Sequence, residues 1–144
     1  MDVAVSDTPS PQRDWSAADA FLGVMTLVAV QDIRTAETRM RAVHEFAGRS
    51  PFLRKCSDKG LPHLQSGVVK RIDAAGCHAL EQACVALPAE MRESVYAACI
   101  DILGASGLLS DQDRILANRL RVLLKMEPVL AQQIETVLLL KNRF

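Results

Sequence analysis

Residues 20–44 read AFLGVMTLVAVQDIRTAETRMRAVH, and residues 96–120 read YAACIDILGASGLLSDQDRILANRL. At an offset of 76 residues Leu27 meets Leu103, Ala29 meets Ala105, Ile33 meets Leu109, Glu37 meets Asp113 and Met40 meets Leu116. Each copy reads as an apolar helix, a turn with one inward aliphatic, a capping Thr35 or Ser110, and an amphipathic helix with an early acid. The turn aliphatic is expected to pin the loop to the core, while cap and acid satisfy free amides and the helix dipole. Two such hairpins predict an all-α chain, with residues 17–47 related to 93–123 by a pseudo-two-fold axis.

The flanking sequence extends the same pattern. Ser16 is the expected cap of a helix through Val30, whose Phe21–Val30 run is too apolar to leave a face in water. The second helix carries Met40, Val43, His44 and Ala47 inward, which makes His44 a packed histidine, and Gly48 and Pro51 end it. Residues 49–61 read as a looser connection. Pro62 opens a helix to Ala75 with Leu64, Val68 and Ile72 inward and His63 exposed at its start. Gly76 breaks the chain before a short helix bearing Cys77, Leu80, Cys84 and Leu87. Pro88 starts the next, and its 89–105 segment should pack centrally against 16–30. Ser110 caps a helix striped with Ile115, Leu116, Leu120, Leu123 and Leu124, and a last helix from Pro128 buries Leu130, Ile134, Val137 and Leu138. That makes about seven helices and no strand, because Val and Ile rarely alternate with polar residues. Residues 1–14, with Pro9 and Pro11, read as a loose tail before a single helical domain over 15–144.

Composition narrows the function. Lys and Arg number 17, as do Asp and Glu, so the net charge is zero and no phosphate-seeking field is expected. Aromatics are 4%, too few for base-stacking platforms, so nucleic acid is not an expected partner. There is no signal-like apolar core at the start and no run near the ~20 apolar residues of a membrane span. A cytoplasmic location follows, with Cys56, Cys77, Cys84 and Cys99 as reduced thiols.

Asp32, Glu37, Asp111 and Asp113, in or just after the two turns, are weak candidates for a divalent-metal site. A hard cation needs several converging oxygens, and these acids serve equally well as caps and dipole partners. Cys77, His78 and Cys84 lack the close pairing of a structural zinc site, and the two cysteines fall about 10 Å apart along a helix axis. Buried thiols describe them better. No Gly-x-Ser-x-Gly, P-loop or GxGxxG occurs, so the chain reads as non-enzymatic and without a cofactor. Asp101 lies among Cys99, Ile100, Ile102 and Leu103 and needs a partner, for which Arg119 or Arg121 is the expectation.

The turns AVQDIRTAE (29–37) and ASGLLSDQD (105–113) resemble those of the TerB-like tellurite-resistance family. That all-helical family carries an Ala-Asp-Gly turn, an aliphatic two positions later and a Glu four further on. Alanine, aliphatic and acid are kept in both copies, and Gly107 keeps the second glycine. The resemblance spans roughly residues 17–140. It implies a protein-interaction domain in a bacterial stress response, with protein partners at the inner face of the membrane. It also implies divalent-metal binding through acids, and a metal-binding or metal-sensing domain is the alternative function. Val30 and Ser106 stand where the family has its aspartates, so any such binding should be weak.

Overall fold

The computed structural model describes residues 15–144, and its first helix begins at the predicted cap. The expected tail, 1–14, lies outside the described residues. Ser16 Oγ accepts from the Asp19 amide at 3.0 Å, and Asp19 Oδ2 accepts from the Ser16 amide at 3.2 Å, a reciprocal capping box. Helix α1 (Ala17–Ala29) is followed by α2 (Ala36–Arg49), α3 (Pro51–Lys55), α4 (Leu61–Ala75) and α5 (Ala79–Ala86). Then come α6 (Arg92–Gly104), α7 (Asp111–Leu123) and α8 (Pro128–Lys141), with single 3₁₀ turns at Gly76–His78 and Ala89–Met91. Seven of these helices have eight residues or more, and no strand occurs among the described residues. The connection expected to be loose contains α3: Ser50 Oγ accepts from the Leu53 amide at 3.2 Å and Pro51 presets the first turn.

Helix α1 is the axis of the molecule, packing on α2, α4, α5 and α6. Helix α6 lies between α1 and α8 and buries Val95, Tyr96, Ala98, Cys99, Ile100, Ile102 and Leu103. These are the two helices without a polar face, and each large side chain they bury contributes about 2 kcal/mol. Trp15 covers one flank of α1. Its Nε1 donates to Gln82 Oε1 at 3.3 Å, and its ring lies so close to Gly23 that a Cβ there would come within 2.6 Å. Arg71 Nε, 3.2 Å from Asp19 Oδ2, ties α4 to α1, and the Tyr96 hydroxyl donates to Glu135 Oε2 at 2.7 Å, tying α6 to α8. No helix among the described residues is long and apolar enough to cross a membrane.

Several side chains expected inside are outside. Helices α7 and α8 are peripheral, and each is covered over a narrower arc than its apolar stripe. Ile115 and Val137 are therefore left in water, at 70% and 63% exposure. His44 is exposed because α2 meets α1 through Val43 and Ala47, and His44 points round to a groove over Leu22 between α2 and α4. Cys77 is also exposed, lying in the 3₁₀ turn ahead of α5, whereas Cys84 and Cys99 are buried. Asp101 turns to neither predicted arginine. The end of α8 runs beside α6, so Lys141 Nζ reaches Asp101 Oδ1 at 3.0 Å and Asn142 Nδ2 donates to it at 2.8 Å. Arg119 instead faces Glu81, and Arg121 bonds Asn118.

Candidate functional site at the junction of the two turns

Arg39 stands one turn into α2 on the stripe that continues through Val43 and Ala47, and it is 1% exposed. Its Nη1 and Nη2 donate to Asp113 Oδ1 and Oδ2 at 3.0 and 2.8 Å, a bidentate pair. Nη2 also donates to the Leu103 carbonyl at 3.1 Å, and Nε donates to Ser106 Oγ at 3.1 Å. Carboxylate, carbonyl and hydroxyl all come from α6, α7 and the turn between them, so one guanidinium from the first hairpin is gripped entirely by the second. Asp113 has a second task at the start of α7. Its Oδ2 accepts from the Ser110 amide at 2.9 Å while Ser110 Oγ accepts from the Asp113 amide at 3.1 Å, completing the predicted cap. Burial pushes the Asp113 carboxyl up, but the Arg39 hydrogen bonds and charge and the Ser110 contacts outweigh it and hold it below its ordinary range.

The first turn lies against this clamp. Asp32 Oδ1 accepts from the Arg34 amide at 3.0 Å and from Arg34 Nε at 3.2 Å, while Oδ2 accepts from Arg34 Nη2 at 3.1 Å. These bonds to Arg34 hold the Asp32 carboxyl low, with a smaller contribution from the charge of Arg39. Asp32 raises Arg34 in turn, with the charge of Asp113 adding to it. Asp32–Arg34 and Arg39–Asp113 are thus two ion pairs, one exposed and one buried, whose charges influence each other.

The turn chemistry differs from the sequence expectation. Thr35 does not cap α2. Its hydroxyl donates to the Asp32 carbonyl at 3.3 Å and its amide donates to the same oxygen at 3.1 Å, which closes a tight turn around Ile33. Ile33 is therefore thrown outward at 89% exposure, whereas Leu109, its counterpart, is half-buried against the core and Leu108 is 98% exposed. Glu37 and Asp113, also counterparts, part company as well: one is on the surface, the other buried in the clamp.

The four acidic candidates do not converge. Asp32 is occupied by Arg34 and Asp113 by Arg39, Glu37 pairs along α2 with Arg41 at 3.4 Å, and Asp111 is exposed in the first turn of α7. Among the described residues no three His, Cys, Asp or Glu side chains are placed to hold a metal ion. The space between the turns, where a cation would be drawn, holds a guanidinium. Sequence reasoning missed Arg39, although an arginine in register with Val43 and Ala47 was a legible signal for a buried charge needing a carboxylate. No family model, curated protein or solved structure matches this chain.

Proposed function

We propose that the chain is a non-enzymatic, TerB-like helical domain that docks protein partners on the surface formed where its two turns meet. One observation carries the reading: Ile33 and Leu108 stand at 89% and 98% exposure, the first on a turn closed by Asp32 and Thr35, the second on a turn gripped by the buried Arg39–Asp113 pair. A protruding aliphatic on a rigid support binds with little ordering cost, which is what a docking anchor requires. Val30, three residues before Ile33 at the end of α1, is a further exposed aliphatic at 47%. The likeness of the two turn sequences is the support for a repeat and a pseudo-two-fold arrangement, and the counterparts Ile33 and Leu109 stand in unlike places. The stress-response role and the partners at the inner membrane face rest on the resemblance of the turns alone.

The test places a photo-crosslinking residue at exposed Gln31, in the same turn, in cells of the source organism, and compares crosslinked partners with and without Ile33→Ser/Leu108→Ser in the labelled chain. The reading expects discrete adducts that the double variant loses while its melting temperature holds within a few degrees. Adducts that survive the double substitution, or none from Gln31 in the parent, would refute it.

A further inference from the structure

A cleft of about 620 Å³ opens between the second turn and the last turns of α8. That volume lies within the range of about 300–1,000 Å³ found for small-molecule sites, and an apolar lining with few polar groups is the usual composition of such sites. Leu108, Leu109, Leu139 and Leu140 form its walls, and the guanidinium-bearing Arg114 and Arg143 stand on its lining. We infer that this cleft binds an anionic amphiphile, an alkyl chain with a carboxylate or phosphate head.

Charge complementarity selects that occupant. The lining holds two guanidinium groups and no carboxylate among the described residues. Among the described residues Arg114 has no carboxylate partner, and the Arg143 guanidinium has only the Phe144 ring, 5.7 Å away. The nearby acid is already neutralised: Asp101 is held by Lys141 and by Asn142, which also lines the cleft. Two unpaired forks beside a leucine-lined trough match a single negative head followed by an apolar chain, and guanidinium suits carboxylate and phosphate alike. A neutral apolar ligand would gain nothing from the arginines, and an inorganic anion would gain nothing from the leucines. This goes beyond the partner reading; the two surfaces share Leu108, whereas Ile33 lies outside the cleft and so separates them in the test below.

The experiment is calorimetric titration of the full chain with dodecanoate and with dodecyl phosphate, each below its micellar concentration. Dodecanol, dodecyltrimethylammonium and inorganic phosphate serve as controls. Binding of one anionic amphiphile per chain is expected, with at least tenfold loss in Arg114→Gln/Arg143→Gln and at least tenfold loss in Leu139→Gln. Ile33→Ser should bind as the parent does. Melting curves confirm that the variants fold. Equal affinity for the cationic amphiphile or dodecanol, or undiminished binding by the arginine double variant, would overturn the inference. Flotation with phosphatidylglycerol vesicles separates the source of the head group: vesicle binding without monomer binding would refute the cleft in favour of a membrane surface. Tighter binding of an acidic apolar peptide than of either amphiphile would refute it in favour of a protein segment.

Discussion

Arg39→Met and Asp113→Asn, made singly and together, separate the worth of the clamp from the worth of its parts. In Asp113→Asn the guanidinium keeps the Leu103 carbonyl and Ser106 Oγ and can keep one bond to the asparagine oxygen, but its charge is buried at 1% exposure without a counter-charge. Removing one member of a buried pair costs about 3–5 kcal/mol, and the surviving bonds place this variant near 3. Arg39→Met leaves a buried carboxylate with only the Ser110 amide, a loss of about 3–4 kcal/mol on the same scale. The double variant has no buried charge, and its asparagine can still cap α7. Its loss should fall short of the sum of the singles by about 3 kcal/mol. Urea unfolding followed by far-ultraviolet circular dichroism measures each, and each single variant should melt about 10 °C below the parent. The pH dependence has a definite sign. The folded Asp113 carboxyl is held below 3.8, so its stabilisation is full above the ordinary carboxylate range and is lost as pH falls through the lower folded value. In Arg39→Met only burial and the cap remain, the folded carboxyl moves up, and its penalty is relieved by protonation. The gap between parent and Arg39→Met should therefore narrow from neutral pH towards pH ~4. A single variant within about 1 kcal/mol of the parent, with additive effects in the double, would refute the clamp.

Three further outcomes follow from burial and charge. Thr26 is 6% exposed and its hydroxyl has no hydrogen-bond partner among the described residues, so Thr26→Val should raise stability by about 1 kcal/mol, and a lower melting temperature would contradict this. Burial pushes the Cys84 thiol up to about 12 and the Cys99 thiol higher still, while Cys56 and Cys77 are exposed. A thiol-labelling disulfide reagent should react promptly with two cysteines and reach the other two only on unfolding, and four prompt reactions would show the core to be open. Because arginines occupy Asp32 and Asp113, ~1 mM Ca²⁺ or Mg²⁺ should add no more than about 0.4 kcal/mol, the value for a millimolar dissociation constant. A clear rise in melting temperature, abolished by Glu37→Gln or Asp111→Asn, would instead favour the metal-sensing alternative.

The fold class and helix order were legible in the residues themselves. The predominantly apolar runs in α1 and α6, the Ser16 and Ser110 caps, and Pro51, Pro62, Gly76 and Pro128 act within a few residues, so local physics sufficed. What lay beyond the sequence was every choice between neighbours distant along the chain. Ile33 reads as a core aliphatic, but the bonds of Asp32 and Thr35 close the turn with that side chain outward. Asp113 reads as one acid among four, and only the approach of α2 to the second turn joins it to Arg39, 74 residues away. Asp101 likewise found Lys141, 40 residues on, because α8 runs beside α6. Periodicity states which residues share a face. It does not state how wide an arc a neighbour will cover, nor which opposite charge will arrive there, because both depend on how the helices are packed.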